Sequence, residues 1–257
     1  MSRRHLTFAC EGSTMVATLD EAPGTAGLLI VSGGNELRSG AWAGQARIAA
    51  RIAAAGFPVL RFDHRGVGDS DGPNGSFETR GPDIAAALAS FRKTCPELSR
   101  VIGWGNCDGA SALMLARGLG FEGLVLSNPW TIEEDDAAQP PEVLRDHYKR
   151  RLADPTAIRR LLTGKVSVGK LVASLRDATR KPAPPTTLTQ NLARGLADFA
   201  GPTRFLIAER DRTAQAFLAA WDKADARIRR CPNATHSFAE SHSQEWLTEQ
   251  ILEMLRA

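Results

Sequence analysis

The sequence lacks long hydrophobic runs, paired cysteines and a large net charge. No run of about 18 apolar residues occurs, which argues against a membrane span. The opening MSRRHLTFACEG has no apolar segment, so we expect no secretion signal. The net charge of +3 is too small to indicate nucleic acid as a partner. The cysteines (Cys10, Cys95, Cys107 and Cys231) show no CxxC spacing, which argues against a zinc site or disulfides and favours a reducing cytoplasm.

The chain of 257 residues fits one large domain, or one domain with a small insertion. An apolar fraction of 43% supplies a core and argues against disorder. Short β-rich runs alternate with longer helix-like segments, which predicts an α/β fold with a mostly parallel sheet and helices on both faces. Eight strands are predicted, over residues 6–10, 15–19, 28–31, 59–62, 101–104, 124–127, 204–208 and 227–231. The first two are expected to pair antiparallel.

Helices are predicted over residues 42–55, 83–94, 108–119 and 244–255. Gly56 follows the first as a C-cap residue, and Pro82 precedes the second as a start signal. The last is amphipathic, with apolar residues at helical spacing on one face.

Residues 131–200 interrupt this alternation, because no convincing strand occurs there. Between residues 145 and 181 the stretch holds eleven Lys and Arg against three Asp, and KPAPP at 181–185 is typical of a linker. We predict a core of residues 1–130 and 201–257 with a helical cap at 131–200. The basic residues either recruit an anionic or carrier-bound substrate or form a solvated helical face.

The strongest chemical signal is Gly105-Asn-Cys107-Asp108-Gly109, which follows an apolar strand and opens a helix. This is the G-x-S-x-G nucleophile elbow with cysteine in the serine position. The glycines remove side chains that would clash in the strained turn, and the helix N-terminus favours a thiolate at Cys107. The alternative is a buried cysteine in an ordinary strand-to-helix turn.

An elbow nucleophile needs an acid and then a base further along the chain. His236 lies in the loop before the last helix and is the predicted base, whereas His147 falls in the cap and His242 close to the last helix. Asp211 follows the strand at 204–208 and is the predicted acid, in preference to Glu209. Asp211 is alternatively a helix-capping residue.

The oxyanion hole needs two backbone N–H groups. One is expected from Asp108, and the other from Gly34 or Asn35 in the loop after the strand at 28–31. The same loop carries Glu36 and Arg38, which are candidates for substrate binding. A carboxylate beside the thiol could also tune its protonation, and an arginine could hold a substrate carboxylate or phosphate. The alternative is a salt bridge that shapes the loop. Trp130 is a further candidate for substrate contact. No metal or cofactor is expected.

Several segments resemble a known superfamily. Residues 62–70, FDHRGVGDS, look like the D-x-R-G-x-G-x-S turn of α/β-hydrolases, where this turn is mainly structural. More specifically, the segments at 33–34, 38–40, 104–109 (WGNCDG), 126–130 (LSNPW) and 211–215 (DRTAQ) resemble the exosortase A system-associated hydrolases of type 1. The resemblance covers most of the chain outside the cap.

The resemblance implies an α/β-hydrolase fold and a cytoplasmic bacterial enzyme, encoded near genes for exopolysaccharide production and protein sorting, with no settled substrate. Dienelactone hydrolases also have a cysteine elbow and an acid on the oxyanion loop. The long cap of this chain departs from them.

Three functions remain open. The first is hydrolysis of an ester, thioester or lactone by Cys107, His236 and Asp211 through a covalent acyl-enzyme. The second is acyl transfer to a sugar or thiol by the same residues. The third is a non-catalytic binding protein on a hydrolase fold, since fold alone does not fix function.

Overall fold

The computed structural model describes residues 2–133 and 186–257. Most of the predicted cap, with its basic stretch and His147, lies outside the described residues. The described strands are β1 (Ser2–Cys10), β2 (Ser13–Glu21), β3 (Ala26–Val31), β4 (Val59–Phe62), β5 (Arg100–Asn106), β6 (Gly123–Ser127), β7 (Thr203–Ala208) and β8 (Ile228–Cys231). The described α-helices are α1 (Gly44–Ala54), α2 (Gly81–Thr94), α3 (Asp108–Leu115), α4 (Thr187–Ala197), α5 (Arg212–Ala220) and α6 (Ser241–Arg256).

The strands form one sheet in the order β1-β2-β4-β3-β5-β6-β7-β8. β2 pairs antiparallel with β1 and β4, and all the other neighbours are parallel. The predicted eight-stranded, mostly parallel sheet with an antiparallel start is therefore confirmed. The β1–β2 turn contains Glu11 and Gly12, both with positive φ, the left-handed conformation that tight hairpin turns require.

Alternate residues of the central strands enter two separate apolar clusters, one on each face of the sheet. In β3, Leu29 and Val31 belong to the cluster shared with α2, α3 and α4, whereas Leu28 and Ile30 belong to the cluster shared with α1 and α6. All four side chains are buried. Both faces are covered because successive side chains of a strand point in opposite directions and each face here is apolar.

The parallel pairing brings the carboxyl ends of the central strands to one edge. Val31 is level with Gly105, and Ser127 pairs with both Asn106 and Leu206. The loops that leave these strands, at Ser32, Cys107, Asn128 and Glu209, therefore start side by side. Ligands of open α/β sheets bind at this edge.

Two helices differ from the sequence-based expectation. α3 ends at Leu115 rather than at residue 119, because the chain turns at Arg117 and Gly118, which both adopt positive φ. α4 lies inside the predicted cap range, yet Leu192 and Leu196 are buried in the apolar cluster that α3 also joins. Gly195 permits the close approach, since a Cβ there would collide with the Met114 carbonyl. The division into core and cap stays a prediction.

Candidate active site

Cys107 lies on a strained turn between β5 and α3. Its φ and ψ are 60° and −130°, which is unusual for a residue with a side chain. The surroundings fix this conformation, because the Cys107 N–H donates to the Ser127 carbonyl at 2.9 Å. The flanking glycines are required by packing. A Cβ on Gly105 would lie 2.5 Å from the Gly109 carbonyl carbon, and one on Gly109 would lie 2.5 Å from the Val31 oxygen.

His236 meets Asp211 on the downstream side of Cys107. Nδ1 of His236 lies 2.9 Å from Oδ2 of Asp211, whose side chain is 7% exposed against 39% for His236. The hydrogen bond that the His236 ring donates to Asp211 is the largest cause that raises the pKa of His236 to about 10, and the interaction with Cys107 is the next. Because Nδ1 is used by Asp211, the other ring nitrogen is left for the Cys107 sulfur. Asp211 thus binds one side of the His236 ring, and His236 and Cys107 line one cavity.

Asp211 also caps helix α5. Its Oδ1 accepts from the Thr213 N–H at 3.2 Å and its Oδ2 from the Ala214 N–H at 3.0 Å. Asp211 therefore both caps helix α5 and contacts His236, and the two capping bonds fix its carboxylate in place.

Of the alternatives, His242 lies in the first turn of α6 with Nε2 3.0 Å from the Pro232 carbonyl oxygen. Glu209 directly follows β7.

Two asparagines that the sequence analysis did not single out hold the loop of His236. Asn128 is fully buried with a positive φ of 44°, and its Nδ2 donates to the His236 carbonyl at 3.1 Å. Asn106 donates to the same carbonyl at 3.3 Å. The Asn128 Oδ1 accepts from the Ala208 N–H at 2.8 Å, so one side chain joins the ends of β6 and β7 to the His236 loop. Asn128 belongs to the LSNPW motif, the only signal that pointed to it.

The upstream loop, from Ser32 to Gly40, is fixed by a different set of groups. The Gly34 N–H donates to Oδ1 of Asp108 at 2.5 Å, and the Gly34 carbonyl accepts from Nη2 of Arg80 at 2.5 Å. Arg80 is buried, and the nearby Asp108 and Asp83 carboxylates oppose the lowering of its pKa that burial causes. Arg80 was not among the predicted site residues.

These contacts separate the two candidates for the second oxyanion donor. The Gly34 N–H is already bonded to the Asp108 carboxylate. Within residues 2–133 and 186–257, the Asn35 N–H has no acceptor. The Asn35 side chain is engaged, since its Oδ1 accepts from Asn74 at 2.8 Å. The N–H of Asp108 begins helix α3, where backbone amides have no acceptor within the helix.

Glu36 and Arg38 are two residues apart in this loop but face different surroundings. Arg38 pairs with Asp63, whose side chain is fully buried, and with Asp69 at 2.9 Å. Its Nε also donates to the Thr18 hydroxyl at 3.0 Å. The structure therefore places Arg38 against the turn at residues 62–70, in salt bridges with that turn rather than with Glu36, and Arg38 does not line the cavity of Cys107.

Glu36 lines a cavity of about 310 Å³ in front of Cys107. Burial raises the pKa of Glu36, while the backbone N–H of Ala41 and the charge of His236 act in the opposite direction. A larger cavity of about 880 Å³ adjoins the first, and Asp108 and Trp130 line both. The predicted nucleophile, base and Trp130 therefore share one opening with Glu36.

The remaining cysteines lie apart from this cavity. Burial is the main cause that raises the pKa of Cys10, of Cys95 and, to about 11, of Cys231. All four cysteines are free thiols.

Among the described residues, no group of three or more His, Cys, Asp and Glu side chains is placed to hold a metal ion. The helices in the described part of the chain include none that is long and apolar enough to span a membrane.

Comparisons with known proteins agree with this fold. Residues 28–249 match the model of the Alpha/beta hydrolase family. A comparison with curated proteins gave no significant match. The esterase Pf2001 of Pyrococcus furiosus has a TM-score of 0.62 at 15% identity, covering 99% of this chain and 92% of its own.

Two further solved structures are similar. The alpha/beta hydrolase GrgF of Penicillium sp. sh18 has a TM-score of 0.65 at 17% identity, covering 100% of this chain and 98% of its own. Est1E of Butyrivibrio proteoclasticus, solved with ferulic acid, has a TM-score of 0.59 at 14% identity, covering 98% of this chain and all of its own.

The sheet order and the turn at Cys107 define an α/β-hydrolase fold. The chain belongs to the alpha/beta hydrolase family, since the family model covers most of its length.

Proposed function

We propose that this protein is a hydrolase that cleaves an ester, thioester or lactone through Cys107, His236 and Asp211. The observation that carries the proposal is the 2.9 Å contact between Nδ1 of His236 and Oδ2 of Asp211, together with the cavity that His236 and Cys107 both line. A nucleophile, a base and a group that orients the base are the parts that acyl transfer requires.

In the proposed reaction, His236 holds the proton taken from the Cys107 thiol, in keeping with its raised pKa, and the Cys107 sulfur attacks the carbonyl carbon. The tetrahedral intermediate collapses as His236 returns the proton to the leaving oxygen or sulfur, which leaves an acyl-thioester on Cys107. His236 then removes a proton from water, and the resulting hydroxide attacks the acyl carbon. The C–S bond breaks, the acid leaves, and His236 returns the proton to the Cys107 sulfur. Asp211 stabilises the imidazolium that forms in each half of the cycle.

The N–H of Asp108 would stabilise the oxyanion together with a second donor from the upstream loop. The Asn35 N–H is favoured because it has no acceptor within the described residues, whereas the Gly34 N–H already binds the Asp108 carboxylate. Gly34 would serve only if that carboxylate moved away.

Acyl transfer is the second candidate, and the adjoining cavity of about 880 Å³ favours it. That cavity shares Asp108 and Trp130 with the cavity of Cys107 and leaves room for an acceptor larger than water. A thioester acyl-enzyme also reacts readily with thiols. The exosortase-associated resemblance and a bacterial, cytoplasmic setting likewise remain proposals.

The proposal is tested by the change Cys107→Ala with Cys95→Ala as the matched control. We expect loss of p-nitrophenyl acetate turnover by at least about 1,000-fold in Cys107→Ala and wild-type turnover in Cys95→Ala. Iodoacetamide should modify Cys107 before the other three thiols, as read by mass spectrometry. Full activity in Cys107→Ala would disprove the nucleophile. A protein without thiol reactivity or turnover would instead support the non-catalytic binding alternative. If an added thiol or sugar speeds the loss of the acyl group from Cys107, acyl transfer is supported.

A further inference from the structure

Glu36 is a carboxylate in the active-site cavity that the proposed acyl-transfer steps do not use. It lines the same cavity as Cys107 and His236. It also makes no salt bridge within the described residues, although Arg38 is only two positions away and binds Asp63 and Asp69 instead. A half-buried carboxylate without a cationic partner loses hydration and requires other groups to stabilise it.

A chain of buried polar groups holds the Glu36 carboxylate in place. Gln45, which is 7% exposed, donates from Nε2 to Oε2 of Glu36 at 3.2 Å. The Oε1 of Gln45 accepts in turn from the hydroxyl of Ser32, which is 1% exposed, at 2.8 Å. This bond uses the amide oxygen, so the amide NH₂ is left to face Glu36. The Ala41 N–H also donates to the Glu36 carboxylate.

The backbone makes room for this arrangement. Gly40 adopts a positive φ of 73°, and a Cβ there would lie 2.6 Å from Cγ of Gln45. The Glu36 orientation therefore depends on several residues of the loop and of helix α1. Two donors on a carboxylate leave further acceptor positions unused, because an ionised carboxylate accepts about four hydrogen bonds.

The charges around the cavity favour one class of substrate over another. Glu36 and Asp108 both line the cavity, and Asp108 adds a like charge beside Glu36. Among the described lining residues, His236 is the one basic side chain, and it is already paired with Asp211. A substrate group that donates a hydrogen bond is stabilised beside Glu36, whereas a carboxylate or phosphate in the same position is repelled.

We propose that Glu36 determines substrate specificity by accepting a hydrogen bond from a donor group, a hydroxyl or ammonium, carried next to the scissile carbonyl. The inference rests on the proposed hydrolytic function, since it assumes that the acyl bond lies at Cys107. It assigns Glu36 to substrate recognition and leaves proton transfer to His236. The substrate class is therefore an ester or thioester with a hydroxylated or aminated group near the bond that breaks, rather than an anionic one.

The test uses two matched series of thioesters. The acyl series contains S-ethyl thioesters of propionate, 3-hydroxypropionate and malonate, which present a neutral, a donor and an anionic group. The leaving-group series contains acetyl thioesters of ethanethiol, 2-mercaptoethanol and thioglycolate. Acetylthiocholine adds a cation without a donor, so it separates hydrogen bonding from charge alone. Products are measured by chromatography after an acid quench, which avoids thiol reagents that attack Cys107.

In the wild type we expect kcat/KM to rank donor above neutral above anionic in one of the two series. Glu36→Gln removes the charge but keeps an acceptor, so the anionic-to-neutral ratio should rise by about 10-fold. Glu36→Met removes the acceptor as well, so the donor-to-neutral ratio should fall by about 10-fold. Gln45→Leu should also lower the donor-to-neutral ratio, but by less than Glu36→Met does. Glu97→Gln, at an exposed position in the loop before β5, is the control and should leave every ratio unchanged.

Ratios within one variant make the result independent of a general loss of activity or stability. If both Glu36 variants keep the wild-type ratios in both series, the recognition role is disproved even though turnover persists. The kcat/KM of acetylthiocholine could fall in the Glu36 variants as much as that of the hydroxylated substrates. Charge attraction rather than a hydrogen bond would then explain the preference, and the proposal would be overturned. Failure of the hydrolytic function looks different, because no thioester would be turned over and Cys107 would carry no acyl group.

Discussion

The loops on the two sides of Cys107 are held by different means. Downstream, the His236 loop is fixed by neutral amide contacts from Asn106 and Asn128, and His236 forms a charged pair with Asp211. Upstream, the loop from Ser32 to Gly40 is fixed largely by ions, through Arg80 at the Gly34 carbonyl and Arg38 at Asp63. The downstream charges face the sulfur, whereas most upstream charges face the protein.

The difference explains which charged residues can take part in chemistry. A charge that is already paired away from the cavity, such as that of Arg38, stabilises the loop but reaches no substrate. Glu36 is the exception on the upstream side, because neutral groups hold it and no salt bridge within the described residues neutralises its charge. The surroundings of a charge, rather than its position in the loop, therefore decide whether it faces substrate.

The largest expected effect comes from Asp211→Asn, which removes the charge of the downstream pair. We expect kcat/KM to fall by about 1,000- to 10,000-fold, because His236 loses the group that orients it. The pKa of His236 should fall from about 10 toward its ordinary value, because its hydrogen bond with Asp211 is the largest cause of the rise. Kinetics and NMR titration of the His236 ring measure both effects.

The control for this change is Glu209→Gln, at the alternative acid, which should retain activity within about 3-fold. A greater loss in Glu209→Gln than in Asp211→Asn would contradict the assignment.

The raised pKa of His236 also makes the free energy of unfolding depend on pH. The His236 contribution is fully present below the unfolded-state pKa of about 6.5, and it is lost as pH rises through about 10. Unfolding of the wild type between pH 6 and 11 should therefore show a decline that Asp211→Asn lacks.

A smaller effect is expected from Asn128→Leu, which removes the amide contacts of the downstream loop. The buried Ala208 N–H and the His236 carbonyl lose a partner each, so the free energy of unfolding should fall by about 2–4 kcal/mol. We expect kcat/KM to fall by about 10- to 100-fold, because His236 is less well positioned. Denaturant unfolding and steady-state kinetics measure the two changes. Asn74→Leu, in the upstream half, serves as the control, and equal losses in the two variants would remove the distinction between the loops.

The smallest effect on catalysis is expected from Arg38→Met, which breaks the upstream ion pair. The free energy of unfolding should fall by about 2–4 kcal/mol, because Asp63 is fully buried and loses its partner. Activity per folded molecule should stay within about 3-fold of the wild type, since Arg38 lies outside the cavity of Cys107. Chemical unfolding with an active-site titration separates the two quantities. A large rise in KM at unchanged stability would return Arg38 to the substrate-binding residues.

Much of the fold could be predicted because it follows from local pattern. From β3 onward the strands alternate with helices, which indicates a mostly parallel sheet, and glycine spacing marked the turn at Cys107. The chain order of Asp211 and His236 was sufficient to predict their contact. Asn128 and Arg80 escaped prediction because an isolated Asn or Arg has no periodicity, and its importance depends on partners 46 or more residues away.

By itself, the sequence determined the sheet, the elbow and the pairing of His236 with Asp211, because strand pattern, glycine geometry and chain order are local properties. Only the tertiary structure decided how the neighbours Glu36 and Arg38 differ. Asp63 and Asp69, brought close by the turn at residues 62–70, bind Arg38, while Gln45 and Ser32 turn Glu36 toward Cys107. Partners that meet only after folding decide which charge is neutralised and which one faces a substrate.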